Sequence, residues 1–453
     1  MVPVGAKAPG GGHAFLFTRN NLSQGKTRLL KYFLRQPMVN SLINLKGNPR
    51  AAVYTEPLWG IPFNLYAPYM SVYMLSFGLH DSQIGLLTSI GLGLSILSSL
   101  MSGIITDKLG RKRATLIFDI LSWSIPALIW AVAQNFSYFL IAAAFNSIWR
   151  VTLNSWTCLV VEDTDQTRLM DIYSWFYISG QAVAFFAPIA GLLIRIFTLV
   201  PTMRGLFLFA SVMFTLKFFV MNAFVSETER GKIRMEETRH QGLFSMLGEY
   251  RGVFRIILKS PPMLYTIGIM LVMGICTLIT STFWSILVTR KLLIPEQDLA
   301  LFPFVRSSIM LLFFFLVMPR IKEMNFKKPM LVGFGIFILS QALLISTPAK
   351  NYVLLTINVF LDACSYAMVG TQIDRMVAVT VDEKERARIM ALVYVVVISF
   401  TSPFGWIAGK LSEVDRILPF ILSLGLYTIG AVLTYLAARL APPRVAELPA
   451  EGE

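Results

Sequence analysis

Apolar residues run along this chain in blocks of about 20, separated by short polar breaks. Twelve such blocks stand out, at residues 59–78, 82–103, 114–133, 137–160, 172–194, 204–225, 262–289, 299–319, 329–346, 352–378, 389–409 and 416–437. A helix rising 1.5 Å per residue needs about 20 apolar residues to cross the roughly 30 Å hydrocarbon layer. A membrane barrel would instead show strands of about ten residues with alternating polarity. The pattern therefore predicts an all-α membrane protein with twelve spans, in which every backbone polar group is satisfied within its own helix. Composition agrees: apolar residues make up 55% of the chain, charged residues 15%, and mean hydropathy is +0.64.

The breaks divide the chain. Residues 1–55 form a basic N-terminal extension, 56–225 a first group of six spans, 226–260 a polar linker, 261–440 a second group of six, and 441–453 a tail. The segment from Leu29 to Arg35 reads either as a short amphipathic helix on the membrane surface or as part of a disordered extension, with Met38 an alternative start. An internal repeat supports the two halves. The segments beginning at Arg111, Arg168 and Ala187 reappear in order, at nearly constant offset, at Phe326, Arg388 and Ser402.

A net charge of +14 raises the question of nucleic acid. The distribution answers it. With the N-terminus in the cytoplasm and twelve spans, most of the 40 Lys and Arg fall in cytoplasmic segments, as the positive-inside rule requires. The charge reports orientation, so no nucleic-acid partner is expected. The expected location is the plasma membrane with both termini cytoplasmic, or the inner membrane in a bacterium with two. Cys158, Cys276 and Cys364 all lie in apolar blocks, with spacing that suits neither a disulfide framework nor a zinc site. No metal-binding or phosphate-binding motif and no nucleophile–histidine pairing appears, so neither an enzyme nor a cofactor is expected.

Charges inside spans are costly and imply function or pairing. They are Asp119, Arg150, Lys217, Arg306, Asp362, Asp374 and Arg375. Periodicity groups the polar positions further. Asn146, Arg150 and Asn154 recur every four residues on span 4. Glu56, Gly60, Asn64, Pro68 and Ser71 share a face of span 1; Thr277, Thr280, Ser281 and Trp284 share one of span 7; Asp362, Ser365 and Tyr366 cluster on span 10. Asp119 and Lys217 lie at similar depth from the cytoplasmic side, which predicts a structural ion pair. Arg306 either rims a cavity or extends to the interface.

The most specific motif is the turn between spans 2 and 3. It holds Gly103, Asp107, Gly110, and then Arg111, Lys112 and Arg113. Gly103 permits close helix approach, Asp107 offers an anion just before a new helix, and Gly110 permits reversal. This turn resembles the signature loop of major facilitator superfamily transporters, and the two halves and the repeat fit that family. The resemblance implies two pseudo-symmetric six-helix bundles around a midplane site, with spans 1, 4, 7 and 10 lining the cavity and spans 3 and 6 peripheral. Arg150 is similar to the family's span 4 arginine, and the Ala184–Gly191 stretch with Pro188 resembles its span 5 motif.

The implied function is secondary transport by alternating access. Proton-coupled export of a small organic or amphipathic solute comes first, and uptake of a sugar or organic acid second. A non-transporting sensor or scaffold is the alternative of another class. The expected partners are a small-molecule substrate, protons and the bilayer, with the chain acting as a monomer. Glu56, Asn64, Asn146, Arg150, Asn154, Thr280, Trp284, Asp362 and Tyr366 are the expected cavity or coupling residues. The loop residues Gly103, Asp107, Gly110, Arg111 and Lys112 are expected to switch conformation.

Overall fold

The computed structural model describes residues 41–239, 261–317, 320, 327–380 and 386–440. Among these the chain is helical, with no strand. Eleven helices are long and apolar enough to cross a membrane: Asp81–Leu109, Arg111–Ala131, Phe136–Val161, Arg168–Phe197, Leu199–Phe224, Met263–Arg290, Glu296–Leu316, Lys327–Ser346, Tyr352–Ile373, Leu392–Val414 and Leu418–Arg439. These are spans 2 to 12. Span 1 runs over Gly47–Tyr66, a 3-10 turn at Ala67–Tyr69 and Met70–Ser76. Pro57 and Pro62 lie inside it, and Pro68 at the 3-10 turn. Each proline lacks a backbone N–H, which bends a helix; Glu56 and Asn64 lower its apolar content.

Span 1 begins earlier than its apolar block. Asn48 fixes that start: its side-chain amide donates to the Ser226 carbonyl (3.0 Å), and its Oδ1 accepts from the Ser226 N–H (2.8 Å). Residues 29–35 and the tail after 440 lie outside the described residues.

Two connections are a single residue long. Gly110 joins spans 2 and 3 with φ +82°, a conformation glycine adopts without strain. A Cβ there would sit 2.6 Å from a Glu227 carboxylate oxygen and 2.7 Å from the Met235 sulfur. Thr198 joins spans 5 and 6 at φ 65°.

Besides span 1, span 4 is interrupted between Asn146 and Trp149, and spans 3, 5 and 11 change pitch or break. Pro188 and Pro403 stand in the first turn of fresh helical segments within spans 5 and 11. Span 3 widens into a π-turn at Ile120–Ser124, a geometry that disturbs the regular backbone ladder. Neighbours take the carbonyls there: Asn146 of span 4 donates to Ser122 O (2.8 Å) and Ser211 of span 6 donates to Ser124 O (3.0 Å).

The bundles meet closely at the end opposite the basic loop. There span 2 crosses span 11 at Gly85, Gly405 and Gly409. A Cβ on Gly85 would lie 2.1 Å from the Gly405 carbonyl oxygen, so only glycine permits this approach. Gly191 of span 5 packs likewise against the Gln297 carbonyl at the start of span 8 (2.2 Å for a Cβ). Polar contacts complete the seam: Ser412 donates to Asp81 (2.7 Å), Arg416 pairs with Asp81 (3.2 Å), and the Ser82 hydroxyl reaches Glu413.

Candidate functional site: a central cavity and a basic-end latch

Between the bundles lies a cavity of about 600 Å³. Span 1 contributes Glu56, Trp59, Phe63 and Asn64; span 5 contributes Gln181; span 7 contributes Thr280 and Trp284. Phe302 and Arg306 come from span 8, Gln341 from span 9, and Asn358, Asp362 and Tyr366 from span 10. Five aromatic side chains, Trp59, Phe63, Trp284, Phe302 and Tyr366, stand in a wall that is otherwise small, polar or aliphatic. Trp59 stacks on Phe63 (4.8 Å, 12°), and Trp284 meets Phe302 edge-on (5.3 Å). The Asn64 amide is tied to the Gly60 carbonyl of its own helix (2.8 Å).

Arg306 and Asp362 are bound to each other. The Arg306 Nη2 lies 3.2 Å from Asp362 Oδ2, and its guanidinium carbon sits 5.1 Å from the centre of the Tyr366 ring. Arg306 thus belongs to the cavity. Its Nε, Thr280 Oγ1 and Gln341 Oε1 are buried and find no hydrogen-bond partner among the described residues.

On the other wall Lys217 approaches Glu56 (3.7 Å). The sequence suggested Asp119 as the partner of Lys217, but no contact within ion-pair distance joins them. Asp119 is buried and still feels both charges, Lys217 and Glu56. The pair is therefore a group of three, one lysine facing two carboxylates from spans 1 and 3. Span 1 packs along span 6, which brings Glu56 to the lysine; periodicity within single helices could not indicate that.

The span 4 stripe lies outside the cavity. Asn146 bonds to span 3, as above, and the Asn154 amide donates to Thr106 Oγ1 of span 2 (3.0 Å). Arg150 lies 4.2 Å from the centre of the Trp149 ring, and its Nε has no partner among the described residues. Arg150 makes no ion pair with the cavity carboxylate Asp362, which pairs with Arg306 instead. The physical reason is local: amides in a low-dielectric bundle bond to whatever helix lies nearest, and here those are spans 2 and 3. Of the expected cavity residues, Glu56, Asn64, Thr280, Trp284, Asp362 and Tyr366 do line it. Gln181, Gln341 and Asn358 line it too; in the sequence nothing but their polarity marks them, and only the shared cavity distinguishes them.

The basic loop forms a second cluster. Arg111 is buried and grips Glu162 through Nε (3.0 Å) and Nη2 (2.9 Å), while Nη1 reaches Asp107 (3.1 Å). Such forked pairs are among the stronger polar contacts. Asp107 does not precede the new helix as expected. Span 2 stays helical to Leu109, so Asp107 belongs to its last turn. The anion at the start of span 3 is Glu227 from the linker, which accepts from the backbone N–H of Arg111 (2.9 Å) and of Lys112 (3.0 Å). Gly103 sits half-buried on span 2. A linker helix, Glu229–Thr238, closes the cluster. Its first turn is capped by Thr228 Oγ1, which accepts from the Gly231 N–H (2.9 Å) and donates to Glu162. Its Arg234 pairs with Asp107 (2.8 Å), a contact that holds the guanidinium above its ordinary pKa.

A two-bundle helical protein with a cavity between the bundles and a charged latch under one of them has known relatives. The family model of the Major Facilitator Superfamily matches residues 59–399. The chain belongs to this superfamily.

A curated relative, the uncharacterized MFS-type transporter YqjV of Bacillus subtilis (strain 168), is 27% identical over 128 residues, covering 28% of this chain and 31% of that protein. The aligned part is thus about a third of that relative's length. Among solved structures, the nucleoside transporter NupG superposes with TM-score 0.65 at 15% identity, covering 87% of this chain and 99% of NupG. A bacterial homologue of the human lysosomal transporter Spinster, inward-facing and unoccupied, gives TM-score 0.66 at 15% identity, covering 89% and 98%. These likenesses show the fold: a multi-pass helical membrane protein of two six-helix bundles.

Proposed function

We propose that this superfamily member is a proton-coupled secondary transporter of a small amphipathic organic solute, working by alternating access. The observation that carries the reading is the central cavity, with five aromatic side chains in its wall and an ion pair, Arg306–Asp362, facing it. Aromatic faces take up apolar bodies, while a few placed polar groups set orientation. The glycine-packed seam of spans 2 and 11 closes one end. Since the basic segments mark the cytoplasmic side, this closed end is the external one, and both termini lie inside. One chain forms the whole cavity, which suits a monomer.

Export of such a solute driven by proton entry is the first reading, supported by the aromatic side chains that suit an apolar body. A second reading, uptake of an organic acid together with a proton, is favoured by Arg306, a cation placed where a substrate anion would sit. Purified protein in liposomes, tested with a solute panel under inward and outward proton gradients, decides. Solute accumulation against its own gradient only when a proton gradient is imposed is expected. Movement that ignores the proton gradient for every transported solute overturns the coupling.

A further inference from the structure

We propose that Asp119, Lys217 and Glu56 share one proton inside the first six-span bundle, and that Lys217 decides which carboxylate holds it: Asp119, which exchanges with the cytoplasm through a cleft of its own, or Glu56, which exchanges with the central cavity. This deepens the proton-coupled reading and rests on it.

The charges are buried and do not balance. Lys217 of span 6 is 5% exposed and Asp119 of span 3 is 4% exposed. The Lys217 Nζ lies 3.7 Å from Glu56 of span 1. Asp119 feels both of those charges from further off. From span 4 comes Thr152, which stands beside Asp119. Thr152 is 8% exposed, and its Oγ1 closes no regular hydrogen bond among the described residues, so it can accept the hydrogen of a carboxylic acid. The next cation, Lys112, stands seven residues back on span 3, about 10 Å along the helix. Two buried carboxylates beside one lysine reach neutrality by keeping one proton. With Lys217 against Glu56, that proton belongs to Asp119.

The cleft gives Asp119 its own access. It lies between spans 3, 4 and 6 and measures about 10 Å³, room for one water. Lys112 and Thr115 on span 3, and Asn222 on span 6, lead from the cytoplasmic ends of these helices to Asp119. Glu56 lines the central cavity and not this cleft, while Asp119 lines the cleft and not the cavity. Lys217 therefore stands between two carboxylates with different surroundings. The π-turn of span 3 begins at the very next residue, Ile120, and such turns recur at functional sites.

This placement gives an exchange in two steps, with Lys217 charged throughout. When Lys217 leaves Glu56 for Asp119, Glu56 takes a proton from the cavity and Asp119 releases one to the cytoplasm. When Lys217 returns, Glu56 releases a proton to the cavity and Asp119 takes one from the cytoplasm. With the cavity open outward in the first step and inward in the second, one proton enters per cycle. The proton that leaves is not the one that entered, so no continuous path joins the two sides.

The test uses the full chain in nanodiscs and infrared difference spectroscopy, which reads protonated carboxyls directly. One buried carboxylic-acid band is expected near neutral pH. Asp119→Asn should remove it. Glu56→Gln should remove it too, because Lys217 then pairs with Asp119 and ionises it; an Asp119 kept neutral by burial alone would keep its band in this variant. Asn222→Leu fills the cleft and should slow exchange of the band in deuterium oxide several-fold. A missing band, a band that survives either carboxylate variant, or exchange unchanged by Asn222→Leu overturns the proposal. If Asp119→Asn does not accumulate, Glu56→Gln and the exchange rate still decide. Movement of every solute in liposomes regardless of the proton gradient would instead remove the coupling reading, while the band and its losses still decide where the proton sits.

Discussion

Lys217 offers the sharpest test of the packing. It is buried between spans 1, 3 and 6 and faces two carboxylates, Glu56 at 3.7 Å and the buried Asp119. One lysine cannot neutralise both, so the group carries either a net negative charge or a proton. At 3.7 Å, with an effective dielectric of about 20, the attraction to Glu56 is roughly 4.5 kcal/mol. Desolvation offsets part of that, and removing one partner from a buried pair typically costs about 3–5 kcal/mol. Lys217→Met should therefore lower stability by roughly that amount, because two carboxylates then face each other unbalanced. Asp119→Asn should do the opposite of what a simple Asp119–Lys217 pair implies. It leaves Glu56 and Lys217 balanced, and the change should stay within about 1 kcal/mol. Adding Asp119→Asn to Lys217→Met should recover part of the loss. Thermal unfolding in one detergent, with yields of folded protein as a second readout, measures all three variants. An Asp119→Asn loss as large as that of Lys217→Met, or strictly additive losses, would show that the group of three does not act as a unit.

Further expectations follow from the latch, the seam and the exposed loops. Asp107→Asn weakens the contacts to Arg111 and Arg234 together; a shift of about 1.4 kcal/mol in the conformational equilibrium changes populations tenfold, so turnover should fall by roughly that factor while equilibrium binding stays nearly constant. A collapse of affinity with turnover intact would place Asp107 in substrate binding instead. Gly85→Leu drives a side chain into the Gly405 carbonyl and should open the seam of spans 2 and 11, read as faster thiol labelling of a cysteine placed at Ser402; unchanged labelling would mean the helices part elsewhere. Lys291 holds the Asp415 carboxyl below its ordinary pKa, through contacts at 2.7 and 2.8 Å. Because the folded state favours the ionised form, this contribution is present near neutrality and fades as pH falls through the lowered value, below roughly 4. The pair is solvent-exposed, so Lys291→Gln should cost under about 1 kcal/mol and less in high salt; a large, salt-independent loss would contradict that.

The chain's own pattern determined a great deal. Apolar blocks of membrane-crossing length set the spans, because hydrocarbon admits only helices that satisfy their own backbone. Gly110 in a basic turn located the latch, and Pro188 and Pro403 marked the breaks in spans 5 and 11, since a missing N–H acts wherever it stands. Glu56, Asp362 and Tyr366 were recognisable because a charge or a polar cluster in an apolar span must face something other than lipid. Which partner each one meets was settled only by packing. Arg306 of span 8 reached Asp362, Glu56 rather than Asp119 came closest to Lys217, and Glu227 rather than Asp107 capped span 3. Periodicity fixes the face a residue occupies on its own helix. The neighbour across that face depends on how helices distant in sequence rotate and cross, and that is decided by small-residue contacts such as Gly85 against Gly405.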